Sequence, residues 1–252
     1  MTGETFTPEK AWFTSVAPDG IPTNTSTVIS GPGGSGKPLI GFAVLDAWLD
    51  AGGQSVLLLT NSGAEFVYDT MELLYDTERS VIDEQVEFVD FDPTMDPGVD
   101  AIEISEEMIR GNLLDPAVWR KTIEQALDRT DDSGPGTVLF GTALNLFLFS
   151  DTYRDPILDA FEETVKREDL TSLFTVSSSA YAAEIGRVED AADTVLLTDM
   201  EDRQLRLRGD RSESVPLERG FHPVPFTSEQ LDRIRSVAEA SRDELLPTIK
   251  AI

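Results

Sequence analysis

Between Ser30 and Leu39 the chain reads Gly31-Pro32-Gly33-Gly34-Ser35-Gly36-Lys37-Pro38. A glycine, four variable positions and then Gly-Lys is the spacing of a phosphate-binding loop. The chemistry follows from the residue types. Glycines let consecutive backbone N–H groups turn inward as an anion nest at a helix N-terminus, and the lysine reaches the terminal phosphates. Gly31, Gly33, Gly34, Ser35, Gly36, Lys37 and Pro38 are therefore the candidate residues for holding ATP or ADP. The competing reading of the same residues is an ordinary glycine-rich turn with an incidental lysine.

The eighth position departs from the pattern. Ser or Thr belongs there, because its hydroxyl binds Mg²⁺, and this chain has Pro38. Proline removes the hydroxyl together with a backbone N–H that would point into the nest. It is sterically welcome in a first helical turn, so the fold is expected to tolerate it. Affinity is expected to fall by about one to two decades, the worth of a charge-assisted hydrogen bond of about 1.5 to 3 kcal/mol.

Such a loop must sit between a strand and a helix, and the flanking residues supply both. Residues 25–30 read as a strand, and residues 39–51 as a helix closed by Gly52 and Gly53. The alternation continues with a strand at 55–60, a helix at 64–75, a strand at 86–91, a helix at 117–127 and a loop at 131–136. A strand at 137–140, a helix at 155–167 and a strand at 172–177 follow. Residues 194–198 and 204–208 form a hairpin about a turn containing Asp202. Thr227 with Gln230 is a capping-box pattern, opening a C-terminal helix across 227–247 that Pro247 stops. Residues 92–115, with Pro93, Pro97 and Gly98, read as a loop or as a short excursion strand at 101–105. This order predicts an α/β fold with a twisted, mainly parallel sheet flanked by helices. With no repeat and no low-complexity linker, one domain over 1–252 is expected, residues 1–19 forming an N-terminal extension.

Composition narrows the chemistry further. There is no cysteine and one histidine, His222, which removes thiolate catalysis and disulfides and disfavours a multi-histidine metal site. Acidic residues number 47 against 20 basic ones, for a net charge of −27. Such a surface repels itself in dilute buffer and becomes tolerable at molar salt, where the Debye length is roughly 3 Å. The surplus is spread along the whole chain, and in this it resembles haloarchaeal proteins. Nucleic acid is not the expected partner, since phosphate-backbone affinity depends on Lys and Arg. No apolar run reaches the roughly 18 to 20 residues of a membrane span, and Met1 to Lys10 lacks a basic flank followed by an apolar stretch, so the cytoplasm is the expected location.

Taken in order, several motifs resemble the KaiC-like and Rad55-like single-domain branch of the RecA superfamily. Gly20-Ile21-Pro22 precedes the first strand, the loop 31–37 follows, Ala192-Asp193 leads into the strand at 194–198, and Arg206-Leu207-Arg208-Gly209 resembles the family's Lys-x-Arg-Gly hairpin. The resemblance implies a RecA-like fold with nucleotide at the carboxyl ends of the strands. It also implies a subunit-bridging role for Arg206 and Arg208, whose alternation with Leu205 and Leu207 otherwise reads as one face of an amphipathic strand. It directs attention to two further positions. The second metal-binding element should be a buried strand ending in Asp, and here 137–140 is followed by Gly141. Glutamate should follow the second strand, and here Asn61-Ser62-Gly63 follow Thr60, with Glu65 out of register. Asp90 and Asp92, after the strand at 86–91, are the alternative metal ligands; the strand at 137–140 is the better candidate to lie beside the loop strand.

Among the rest, His222 reads as a structural residue, and Ser177-Ser178-Ser179 either line the site or cap the next helix. The apolar stretch from Leu144 to Phe149 reads as core, or as a patch for a partner or sister subunit. The expectation is a degenerate phosphate-loop protein that binds ATP or ADP, does not bind Mg²⁺ conventionally, hydrolyses little or nothing, and regulates through a protein partner or self-association. The alternatives are an active ATPase in signalling or DNA repair using Asp90 or Asp92, and a nucleotide-free scaffold in which Lys37 pairs with an acidic neighbour.

Overall fold

A computed structural model describes residues 4–60, 63–142, 144–233 and 236. The chain opens with β1 (Thr5–Phe6), α1 (Ala11–Thr14) and β2 (Ile21–Pro22), β1 and β2 pairing antiparallel as a small separate sheet. Next come β3 (Ser26–Gly31), α2 (Lys37–Asp50), β4 (Gln54–Leu59), α3 (Ala64–Tyr75), α4 (Arg79–Gln85) and β5 (Val86–Phe91). The middle contains β6 (Glu103–Ile104), β7 (Met108–Gly111), α5 (Pro116–Leu127) and β8 (Thr137–Gly141), then a 3-10 helix over Leu144–Phe149. The last part holds α6 (Arg154–Val165), β9 (Thr171–Ser177), α7 (Ala182–Ala191), β10 (Thr194–Glu201), β11 (Gln204–Ser212) and β12 (His222–Pro223).

Ten of these strands form one sheet in the order β12-β11-β10-β3-β9-β8-β4-β5-β7-β6. The seven from β10 to β7 pair in parallel; β11, β12 and β6 add antiparallel edges. The fold is α/β, with helices on both faces as a parallel sheet requires. Successive strand residues feed opposite layers. Val28, Leu139 and Phe174 pack with α5, α6 and α7, whereas Ile29, Phe140 and Leu173 pack with α1 to α4. That period of two makes buried parallel strands read as continuous apolar runs. The β10–β11 turn is tight, Asp202 and Arg203 both adopting positive φ, the conformation that suits a two-residue hairpin.

The structure revises several expectations. The strand at 137–140 does not border the loop strand: β9 lies between β8 and β3. Within residues 92–115 the short strand expected at 101–105 forms as β6 and a further strand, β7, follows it, while α4 and α7 are helices that the apolar spacing did not announce. The expected extension 1–19 places Phe13, Val16 and Ala17 at full burial in the layer around α2. At the C-terminus the capping box forms, Thr227 N–H donating to Gln230 Oε1 at 2.9 Å and Gln230 N–H to Thr227 Oγ1 at 3.2 Å. Most of the helix it was expected to open lies outside the described residues. No helix among the described residues is long and apolar enough to cross a membrane.

Helix α2, which carries the loop, is buried on nearly every side and rests directly on the sheet. Gly41 permits the contact: a Cβ there would come within 2.6 Å of the Phe140 ring and 3.3 Å of Thr175. Gly41→Ala is therefore expected to lower the unfolding free energy by about 2 kcal/mol through overpacking. Urea denaturation in molar KCl checks it, and an unchanged midpoint would show that α2 can lift off the sheet.

Candidate functional site

The loop begins where β3 ends, at Gly31, and finishes where α2 starts, at Lys37. Two of its glycines are required by the geometry. A Cβ at Gly31 would lie 2.2 Å from Thr198 Oγ1, and Gly36 adopts φ +68 with Leu205 only 3.0 Å from where its Cβ would stand. Pro38 sits in the first turn of α2, where its fixed φ suits the helix. Among the described residues the N–H groups of Gly34 and Gly36 donate to no protein acceptor. They are open donors at a helix N-terminus.

Lys37, the first residue of α2, is buried, with 6% of its surface exposed. Its Nζ donates to Pro32 O at 2.6 Å and to Ser35 Oγ at 3.3 Å. Ser35 is fully buried, and its Oγ lies 2.6 Å from Thr198 Oγ1, which donates onward to Ser30 O at 3.3 Å. Thr198 has one hydroxyl proton, so Ser35 is the donor of the middle bond. The result is a one-way donor chain from Lys37 to the end of β3. Burial lowers the Lys37 pKa from 10.5 to about 8, because a low-dielectric setting disfavours the ammonium. Its partners are a carbonyl and a hydroxyl, not the acidic neighbour of the scaffold reading.

The end of β9 closes the other side of the loop. Gly33 N–H donates to Ser179 Oγ at 2.7 Å, and Ser178 N–H donates to Gly31 O at 2.9 Å. Asn145 fixes this strand end reciprocally, accepting from Ser177 N–H at 2.6 Å and donating to Ser177 O at 2.8 Å. Ser178 and Ser179 thus contact the loop, and the residue preceding α7 is Tyr181 in a left-handed conformation. Thr198 and Asn145 were not singled out from the sequence. A polar residue inside the apolar run 144–149 was the signal available for Asn145.

At 38 a pyrrolidine ring stands where a hydroxyl would be needed. At 141 a Cβ would approach Phe174 Cδ1 to 3.0 Å and Leu144 Cδ2 to 3.3 Å, so the space for a carboxylate is filled by hydrocarbon. These two positions do not fit a conventionally held Mg²⁺. Asp90 is on β5, separated from β3 by β4, β8 and β9, and accepts from Arg110 Nε at 2.9 Å. Asp92 accepts from Thr94 N–H at 2.9 Å and Thr94 Oγ1 at 2.6 Å. Asn61 lies outside the described residues, and Glu65 pairs with Arg79 on the surface.

The hairpin arginines are tied within their own chain. Arg206 pairs with Asp199 at 2.7 Å and with Glu201, and its hydrogen bond holds the Asp199 carboxyl below the usual range. Arg208 pairs with Asp210 at 3.0 Å. Both guanidinium groups lie over the Phe221 ring, 5.0 Å and 5.4 Å from its centroid. Leu205 and Leu207 are fully buried on the opposite face, giving the alternation of an amphipathic strand. His222 pairs opposite Leu207 in β12, and Leu144, Leu146, Phe147 and Leu148 are buried core.

Scanned against protein-family models and against curated proteins, the chain matches none.

Proposed function

We propose that this chain is a RecA-like phosphate-loop protein that holds ATP or ADP on residues 31–37, hydrolyses little or none of it, and acts as a regulatory protein in a salt-rich cytoplasm. The unpaired Gly34 and Gly36 N–H groups, in the same loop as buried Lys37, carry this reading. An anion placed there meets two N–H dipoles, the N-terminus of α2 and one ammonium. Placement supports it as well, since the loop lies at the carboxyl end of a central parallel strand, where open α/β sheets bind ligands. Low turnover follows from Pro38 and from the packing about Gly141, because phosphoryl transfer depends on positioning and charge neutralisation. Partnership with another protein or with a second copy belongs to the same proposal.

Calorimetric titration in molar KCl tests it. ATP and ADP are expected to bind without needing Mg²⁺, and Lys37→Ala is expected to abolish the heat. Binding strengthened tenfold or more by Mg²⁺ would return the active ATPase, and no binding at millimolar nucleotide would leave the scaffold.

A further inference from the structure

The two ends of the ten-stranded sheet are finished differently. At one end β12 contributes Pro223, which has no N–H to offer a further strand. At the other end lies β6, paired antiparallel with β7 through Glu103↔Arg110 and Ile104↔Ile109. Ser105 N–H donates to Met108 O at 3.0 Å, so residues 105 and 108 are a hydrogen-bonded pair. Bonded and non-bonded pairs alternate along an antiparallel ladder, which leaves Ile104 in a non-bonded pair with its own N–H and C=O turned to the open edge. Its side chain is 53% exposed, and that of Val99, shortly before it in the chain, is 47% exposed. Among the described residues only two other large apolar side chains, Leu73 and Phe221, are exposed.

Charge identifies what this edge can accept. From residue 80 to residue 109 the chain has ten acidic residues and no basic one. The neighbouring guanidinium groups are engaged, Arg110 with Asp90 and Arg129 with Glu87. Asp96, Asp100, Glu103, Glu106 and Glu107 are exposed and form no salt bridge among the described residues. Beside β6 an open groove of about 520 Å³, lined by Glu87, Ile104, Ser105, Glu106 and Arg129, has room for a long side chain between carboxylates. A second copy of this chain would set like charges opposite one another, which destabilises strand pairing. A basic strand would set Lys or Arg against them.

We propose that β6 is a docking edge for an extended basic segment of a partner protein, which adds a strand beside Ile104 through its backbone and sets Lys or Arg side chains against the flanking carboxylates. Five strands separate this edge from β3, so it can act whatever the loop holds. Fluorescence anisotropy in molar KCl tests it, because salt at that strength screens diffuse attraction to the acidic surface. The probe is a labelled peptide, Lys-Thr-Lys-Val-Arg-Val-Lys-Thr, beside its counterpart with Glu at each basic position. Wild type is expected to bind the basic peptide at least about tenfold more tightly than the acidic one. Ile104→Pro removes the outward N–H but no bond of the fold, and Ile104→Lys keeps that N–H and adds a charge; each is expected to weaken the basic peptide about tenfold. Glu106→Gln with Glu107→Gln is expected to weaken it about threefold, and Leu73→Lys, at an exposed site on α3, to leave it unchanged. Wild type that prefers neither peptide, or binding that survives Ile104→Pro or Ile104→Lys at full strength, overturns the docking edge. Sedimentation showing a wild-type dimer that Ile104→Pro dissolves would put a second copy on the edge and overturn the basic partner.

Discussion

Lys37→Met is expected to make the unliganded protein more stable while abolishing nucleotide binding. Lys37 is almost wholly buried, and burial lowers its pKa from 10.5 to about 8. At neutral pH the folded chain must hold it protonated in a setting that favours the neutral amine, a cost of about 3 kcal/mol from the size of the displacement. Methionine keeps the length and apolar stem of the side chain. What is lost is the pair of bonds to Pro32 O and Ser35 Oγ, worth about 1 kcal/mol each. The net expectation is a gain of about 1 kcal/mol at pH 7, read from urea midpoints in molar KCl. The pH dependence gives a sharper test. Between about 8 and 10.5 the unfolded wild type binds a proton that the folded protein does not, so wild-type stability rises with pH across that window. Lys37→Met should lack this rise. Nucleotide affinity of the wild type should weaken as pH passes about 8, because the phosphates need the ammonium. A variant less stable than wild type at every pH would mean that Lys37 is chiefly a structural donor.

The same residue shows what sequence can and cannot supply. The loop was legible because phosphate binding, as proposed, calls for particular residues at consecutive positions, and glycine and lysine there have few substitutes. The strand at Val86–Phe91 and the helix at Ala64–Tyr75 were legible for a related reason: burial imposes a period on a short local stretch. Helix α7 was not, since Ile185 and Val188 are its only buried side chains and Gly186 interrupts the pattern. Strand order was harder still. Nothing local to β8 or β9 says which one lies against β3, and the expectation that 137–140 does was wrong by one strand. Thr198, Ser179 and Asn145 reach the site from β10, the end of β9 and the 3-10 helix, more than 100 residues from the loop they serve. Tertiary folding alone brings them together.

Gly141→Asp, which restores a carboxylate where the resemblance calls for one, is expected to destabilise the protein by about 3 kcal/mol or more without creating a metal site. Phe174 and Leu144 occupy the approach, and Phe174 is itself fully buried, stacked edge-on against Phe161 at 4.8 Å. A side chain so enclosed cannot swing aside, and its loss would leave a large cavity. Gly141→Ala needs the neighbours to yield only a few tenths of an ångström, at about 1 kcal/mol. The difference between the two substitutions therefore isolates the cost of burying an unpaired carboxylate. For a chain of this length that difference of about 2 kcal/mol corresponds to a fall in Tm of roughly 4 to 8 °C. Adding Pro38→Ser returns a hydroxyl, yet nucleotide affinity should remain indifferent to Mg²⁺, because β9 separates the strand of residue 141 from the loop strand and Phe174 and Leu144 crowd position 141. A folded Gly141→Asp protein whose ADP affinity rose tenfold with Mg²⁺ would show instead that the carboxylate reaches the loop.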